Sequence, residues 1–109
     1  QNRYYDDFNL SDVIYKCNFF DFVPGHIRLS DLEFDLRDVS GKGLILRNWI
    51  KKIATNYDYI LIDCPPQMGV LLVNALVAAD LVIIPIQTDF LALHGLKLIF
   101  DTMRLLNKV

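Results

Sequence analysis

Segments with helical periodicity alternate with short apolar runs along this chain of 109 residues. Apolar side chains at positions 46, 49, 50 and 53 predict an amphipathic helix over Leu44–Asn56 that turns its basic residues to water. Val70–Ala79 is apolar on every side apart from Asn74, which predicts a helix that is buried or covered by a partner. A closing helix is predicted to turn inward the residues Leu96, Ile99, Phe100, Met103 and Leu106.

Three short apolar runs are predicted as strands, namely Phe19–Val23, Tyr59–Ile62 and Leu81–Ile86, and a short helix is predicted over Leu10–Lys16. Strands that are apolar on both faces and alternate with helices are typical of an α/β fold with a parallel sheet flanked by helices. Residues 1–109 are therefore predicted to form a single α/β segment. Because three strands make a thin sheet and residue 1 is not Met, we expect the segment to be the central part of a longer protein.

The residues around Ser30 carry the signature of a helix N-terminus. Ser30 and Glu33 have the spacing of a capping box, and Leu29 and Phe34 stand where a hydrophobic staple would close over it. A helix is predicted to follow as far as about Arg37, before the glycines at 41 and 43 interrupt the pattern.

Composition narrows the class of protein. With 53% hydrophobic and 22% charged residues the chain is globular, and a net charge of −2 gives no overall basic field for nucleic acid or anionic lipid. Cys17 and Cys64 lack metal-ligand spacing and are expected to be reduced thiols in a cytosolic protein. Met68–Ile86 has nearly the length of a membrane span, but Asp80 and Pro85 favour a buried helix followed by a strand, so no membrane partner is expected.

A carboxylate follows directly after the second predicted strand. Ligands of open α/β sheets bind beyond the carboxyl ends of the strands, where Asp63 stands, followed by Cys64-Pro65-Pro66 and then Gly69. A carboxylate in this place can hold a hydrated Mg²⁺, as in the Walker-B arrangement. The alternative is that Asp63 caps the loop or the next helix, and its position alone does not decide between the two.

Other polar positions give weaker signals. Thr88 or Asp89 is predicted to cap the closing helix, and the histidines at 26 and 94 are expected in surface or loop positions. The G-K-G segment at 41–43 lacks the spacing of a phosphate loop and is rejected as one. A solvated face is favoured over a nucleic-acid-binding stripe for three basic residues on one side of the closing helix, Lys97, Arg104 and Lys108.

Residues 57–96, YDYILIDCPPQMGVLLVNALVAADLVIIPIQTDFLALHGL, resemble the ParA/Soj partition ATPases, the deviant-Walker group of P-loop NTPases that includes MinD. Residues 19–36 and the C-terminal residues resemble neighbouring segments of the same family. The resemblance implies part of a P-loop NTPase fold without its N-terminal phosphate loop. It also implies a Mg²⁺-dependent ATPase that dimerises around two ATP molecules, binds DNA nonspecifically and responds to a ParB-type partner. Such proteins drive plasmid or chromosome partition in the cytoplasm, at the nucleoid.

The resemblance also assigns roles to residues. Asp63 matches the Walker-B aspartate, the candidate catalytic residue that holds Mg²⁺ through water. The segment 64–69 matches the switch region that senses the γ-phosphate, and Val70–Ala79 would lie near the dimer face. The candidate cofactor-binding residues are Asp63, Cys64, Pro65, Pro66 and Gly69. Departures from the family pattern, which bear on partner specificity, are Gln67, Asp89 and His94.

The family's phosphate loop precedes the matching segment, while its adenine-contacting loops and main DNA-binding arginines follow it. We therefore expect the 109 residues alone neither to bind ATP tightly nor to hydrolyse it. A ParA-like adaptor without ATPase activity is the alternative function. A flavodoxin-like or receiver-like domain would explain the α/β order but not the run from IDCPP to IIPIQ.

Overall fold

The computed structural model describes residues 7–65 and 67–107, which form two compact units that divide after Ala78. The first unit contains the strands β1 (Tyr15–Lys16) and β2 (Asp21–Phe22) and the helices α1 (Leu32–Asp35), α2 (Ile45–Lys51) and α3 (Val70–Ala78). Short 3-10 turns lie at Leu10–Val13, Ile27–Asp31, Lys42–Leu44 and Ala54–Asn56. The second unit contains α4 (Phe90–Leu105). None of the helices among these residues is long and apolar enough to cross a membrane.

Helices α2 and α3 pack together at the core of the first unit. The predicted amphipathic helix is confirmed in its orientation, with Trp49 and Ile50 half-buried and Arg47 exposed, although α2 ends at Lys51. The predicted buried helix is confirmed over Val70–Ala78. Full burial of a Leu or Ile side chain stabilises a fold by about 1.5–3 kcal/mol. The buried apolar residues of this unit are Leu10, Leu36, Ile53, Leu72, Ala75 and Leu76.

A hairpin replaces two of the predicted elements near the N-terminus. The helix predicted over Leu10–Lys16 is a 3-10 turn followed by β1. The strand predicted over Phe19–Val23 is shortened to β2, which pairs with β1 in antiparallel register with Tyr15 opposite Phe22. The two rings stack with their centroids 5.5 Å apart. This cross-strand pair stabilises the hairpin over the predicted helix.

The predicted parallel sheet does not form among the described residues, whose one sheet is the β1–β2 hairpin. Tyr59–Ile62 and Leu81–Ile86 have the predicted apolar sequence but no ladder partner there. A strand is held by backbone hydrogen bonds to its neighbours, so an apolar run without such neighbours stays irregular. Side chains in both runs are left in solvent, with Leu61 90% and Ile83 78% exposed.

The predicted capping box does not form, because Ser30 lies within the 3-10 turn that leads into α1. Its hydroxyl donates to the Ile27 carbonyl oxygen at 2.9 Å, and the Glu33 carboxylate bonds to a different helix. The predicted staple residues Leu29 and Phe34 are both exposed. Helix α1 ends at residue 35, two residues before the predicted end.

In the second unit, α4 begins at a side-chain cap. Asp89 Oδ1 accepts a hydrogen bond from the Ala92 backbone N–H at 2.7 Å, so Asp89 rather than Thr88 is the N-cap. The predicted inward face is confirmed except at Phe100, which is exposed. Its other members are buried or half-buried, namely Leu96, Ile99, Met103 and Leu106.

Candidate functional site

The Asp63 carboxylate is exposed at the end of the apolar run. Within residues 7–65 and 67–107, no group donates a hydrogen bond to it and no cation pairs with it. The neighbouring Cys64 thiol donates to the Ile62 carbonyl oxygen, with 3.6 Å between sulfur and oxygen. Burial raises the pKa of the Cys64 thiol, and the Asp63 carboxylate raises it further. Cys64 is therefore a neutral thiol at neutral pH.

Helix α3, which follows this segment, is capped by a side chain from a distant part of the chain. The Glu33 carboxylate accepts hydrogen bonds from the backbone N–H groups of Val70 at 2.7 Å and Leu71 at 3.2 Å. These groups belong to the first turn of the helix and have no partner within it. Glu33 rather than Asp63 therefore caps this helix, so the alternative role predicted for Asp63 as its cap is wrong.

Gly69 lies directly against the Glu33 carboxylate. A Cβ built on Gly69 would overlap the carboxylate oxygens and the carbon that joins them. Glycine at this position therefore lets the backbone approach Glu33 closely enough for both hydrogen bonds. The glycine before α3 thus has a packing reason that its sequence position did not reveal.

A buried amide joins α3 to the turn before α2. Asn74 is 8% exposed, and its Oδ1 accepts from the Leu46 backbone N–H at 3.0 Å. Its Nδ2 donates to the Lys42 carbonyl oxygen at 2.7 Å and to the Val70 carbonyl oxygen at 2.8 Å. One side chain thus satisfies three backbone groups on three segments of the first unit.

The G-K-G turn has a structural role in the same region. Gly41 adopts a left-handed conformation with φ of 74°, which favours glycine. The Lys42 ammonium donates to the Arg37 carbonyl oxygen at 2.8 Å. A Cβ built on Gly43 would lie 3.3 Å from the Val73 Cγ1 methyl group, which is a tight contact. These contacts account for both glycines and for Lys42 by local structure.

A second polar cluster ties the hairpin to the start of the apolar run that leads to Asp63. Asp21 Oδ2 accepts from the Lys16 ammonium at 2.7 Å and from the Tyr57 hydroxyl at 2.6 Å. The hydrogen bond from Lys16 is the larger cause that lowers the pKa of Asp21, and the bond from Tyr57 adds to it. Asp21 in turn raises the pKa of Lys16, so both groups are charged at neutral pH.

The Asp21 cluster predicts an acid-sensitive contribution to stability. Because the pKa of Asp21 is lowered on folding, its contribution is present above the unfolded value of about 3.9 and is lost as the pH falls through the lowered folded value. The melting temperature of Asp21→Asn should therefore lie below that of the unchanged protein near neutral pH and approach it at about pH 2. Asp58→Asn, at an exposed aspartate nearby in the sequence, is the control. A difference that is equally large at both ends of the pH range would contradict the assignment.

The other predicted residues are distributed as follows. Pro65 is half-buried beside Cys64, and Pro66 lies outside the described residues. Among the described residues, no group of three or more His, Cys, Asp and Glu side chains could hold a metal ion. Lys108 also lies outside the described residues, while the remaining polar positions are exposed, namely His26, His94, Lys97 and Arg104.

Sequence reasoning missed the observed roles of two polar residues of this region. Asn74 carried a signal, since a lone amide in an otherwise apolar helix must find hydrogen-bond partners when it is buried. Glu33 carried no signal for its observed contact, which joins it to Val70 37 positions away, and its spacing from Ser30 pointed to a local capping box instead.

Comparison with known proteins identifies the family. The sequence model of the AAA domain family matches residues 2–109. Sporulation initiation inhibitor protein Soj of Bacillus subtilis is 38% identical over 105 residues, which cover 94% of this chain and 42% of that protein. Cell division protein PomZ of Myxococcus xanthus is 39% identical over 101 residues, which cover 91% of this chain and 32% of PomZ. Chromosome-partitioning ATPase Soj of Treponema pallidum is 40% identical over 82 residues, 75% of this chain and 32% of that relative. The resemblance seen in residues 57–96 is thereby confirmed, and the chain belongs to the ParA/Soj family of AAA-domain proteins.

Proposed function

We propose that the full-length protein is a ParA-type, Mg²⁺-dependent ATPase in which Asp63 is the Walker-B residue. The observation that carries this proposal is the exposed Asp63 carboxylate, which no described residue uses as a structural partner. The nearby helix end, which offered a structural role for Asp63, is capped by Glu33. A carboxylate at the end of an apolar run and without a structural partner is available to bind a ligand. Because the chain belongs to the ParA/Soj family, we propose Mg-nucleotide as that ligand.

The donor set at Asp63 fits Mg²⁺. This ion keeps several of its waters and is held by one or two carboxylates together with substrate phosphates, so one exposed aspartate is enough on the protein side. Bound Mg²⁺ supplies charge neutralisation to the phosphates during transfer. Asp63 would accept hydrogen bonds from the waters on the metal and orient them. The raised pKa of Cys64 keeps a second negative charge away from the same place.

The candidate switch region, residues 64–69, follows Asp63 directly. In this proposal Cys64, Pro65, Pro66 and Gly69 lie on the nucleotide side and respond to the γ-phosphate. Pro65 restricts the backbone, and Gly69 is held against Glu33 where the segment enters α3. Such a segment is stiff in its first part and anchored at its end, which suits a sensor that passes a small displacement to a helix.

The proposed assembly follows from the family. The protein would form a homodimer around two ATP molecules with α3 near the dimer face, bind DNA nonspecifically and respond to a ParB-type partner. Its task would be the partition of a plasmid or chromosome at the nucleoid, in the cytoplasm. The names of the relatives Soj and PomZ, which refer to sporulation, chromosome partitioning and cell division, support a role in this group of processes.

A non-enzymatic ParA-like adaptor is the second candidate. The two candidates differ in what precedes this segment in the full-length protein. A K-G-G-x-G-K-[ST] loop there supports the ATPase, and its absence supports the adaptor.

Turnover measurements test the proposed ATPase. The full-length protein should release phosphate from ATP in the presence of Mg²⁺, and EDTA should stop the reaction. The purified 109-residue chain should show no turnover, because phosphoryl transfer depends on positioning and charge stabilisation by a phosphate cradle. Turnover by the 109-residue chain would contradict the assignment of the phosphate loop to another part of the protein, and a full-length protein inactive with Mg²⁺ would favour the adaptor.

A further inference from the structure

We propose that Glu33 is a positioning residue for the candidate switch region, because its carboxylate holds the end of that region in a fixed place at the start of α3. The catalytic consequence rests on the proposed function, whereas the positioning itself rests on contacts within the first unit. The family resemblance in residues 57–96 assigned no role to Glu33.

The contacts of Glu33 are specific for this helix end. Its two carboxylate oxygens are divided between two successive backbone N–H groups, Oε2 accepting from Val70 and Oε1 from Leu71. Hydrogen bonds in which the acceptor is ionised are about twice as strong as bonds between neutral groups. A bidentate bond of this kind restricts both the distance and the direction of the backbone that donates.

The position of Gly69 is set by the same contact. The space that a side chain would need at this position is filled by the Glu33 carboxylate. The residue pair 33 and 69 therefore acts as one unit, in which a small residue permits the approach of a long acidic one. Gly69 is also the last residue of the candidate switch region, so the contact reaches the segment that directly follows Asp63.

The consequence for the reaction concerns geometry. The Asp63 end of the segment continues from the apolar run, and its other end is held by Glu33 from α1, more than 30 positions earlier in the sequence. Loss of the carboxylate would free Gly69 and the first turn of α3 to move. Displacement of a positioning element by about 1 Å can lower a rate on the order of 100-fold.

Thiol alkylation measures this positioning without any activity. In a full-length Cys17→Ser background, Cys64 is the thiol of this segment, and its reaction with iodoacetamide reports on the environment of residues 63–69. Glu33→Ala should increase the alkylation rate of Cys64 severalfold. Hydrogen exchange of the Val70 and Leu71 amides should accelerate about tenfold or more. Asp35→Ala is the matched control, since it removes an exposed carboxylate from the same helix α1.

Steady-state kinetics measures the catalytic consequence. Glu33→Ala should lower kcat for ATP at least about tenfold while KM changes little, because the proposal gives Glu33 a contact with the end of the switch region and none with the nucleotide. Asp35→Ala should leave both constants near those of the unchanged protein. Glu33→Gln keeps the side-chain length and one strong acceptor, so its kcat should lie between those of Glu33→Ala and Asp35→Ala. It takes the place of Glu33→Ala in the experiment if that variant does not fold.

A double-mutant cycle separates positioning from general stability. Gly69→Ala alone should lower kcat and accelerate exchange of the Val70 and Leu71 amides, because the added methyl group would overlap the carboxylate. The double variant Glu33→Ala with Gly69→Ala should differ little from Glu33→Ala in kcat and in amide exchange, since the overlap is gone. Additive effects would show that the two residues act separately.

Equal Cys64 alkylation and equal amide exchange in Glu33→Ala and Asp35→Ala would overturn the proposal. If the full-length protein has no Mg²⁺-ATP turnover but alkylation and exchange still separate the two variants, the proposed function fails and the positioning by Glu33 stands. If turnover exists and Glu33→Ala lowers it no more than Asp35→Ala does, Glu33 has no part in the reaction.

Discussion

Replacing Asn74 by aspartate is expected to destabilise the protein by about 3–5 kcal/mol at neutral pH. The change converts the amide Nδ2, which donates to the Lys42 and Val70 carbonyl oxygens, into a second acceptor. A buried carboxylate would then face two carbonyl oxygens without a donor between them. Asn74→Ala should cost less, roughly 2–4 kcal/mol, because it leaves the Leu46 N–H and the Lys42 carbonyl without partners but adds no charge.

Urea unfolding of the full-length protein measures this effect. Asn48→Asp makes the same chemical change at an exposed position of α2 and should alter the free energy of unfolding by no more than about 0.5 kcal/mol. The penalty at position 74 should also depend on pH. The pKa of the new carboxyl should be raised on folding, so the part of the penalty that is due to its charge shrinks as the pH falls through that raised value and is absent below about 3.9. Equal stabilities of the two variants at neutral pH would show that Asn74 does not hold the three segments together.

The second large effect is expected at Asp63. Asp63→Ala in the full-length protein should abolish nucleotide-dependent dimerisation and lower Mg²⁺-ATP turnover about 100-fold or more, since metal-ion stabilisation contributes several kcal/mol to such reactions. The fold should be nearly unchanged, because no described residue bonds to this carboxylate. Size-exclusion chromatography with light scattering, with and without Mg²⁺-ATP, measures the dimer.

Asp58→Ala provides the matched control for Asp63. Both aspartates are exposed and flank the same apolar run, Asp58 before it and Asp63 after it. The two variants should have the same melting temperature, and dimerisation should be lost only at Asp63. An Asp63→Ala protein that still dimerises with Mg²⁺-ATP would remove Asp63 from the metal role.

The elements predicted correctly are those that local pattern determines. Helix α2 carries its apolar residues at helical spacing, and α3 is apolar nearly all round. The local sequence of each therefore predicts a helix and its buried face without reference to neighbouring elements. The runs Tyr59–Ile62 and Leu81–Ile86 are different, because a strand exists only through hydrogen bonds to other strands. Their apolar sequence indicates burial, but it does not say which backbone will pair with them.

The candidate site was predictable to a similar extent. Asp63 and Gly69 stand out by position, one after an apolar run and the other before a helix. The partners that give the region its geometry come from far along the chain: Glu33 reaches α3, and Asn74 reaches the turn before α2. At Glu33 a plausible local interpretation, the capping box with Ser30, competed with the true contact, and the sequence alone had no means to rank the two.

The Glu33 carboxylate also affects the electrostatic field around the candidate site. Aligned peptide dipoles give the N-terminus of a helix roughly half a positive charge, which in many nucleotide-binding proteins attracts phosphate. At α3 an internal carboxylate already occupies that end of the helix. The positive end of α3 is therefore compensated by the Glu33 carboxylate, so in the proposed ATPase a triphosphate would have to be attracted by cations rather than by the dipole of this helix.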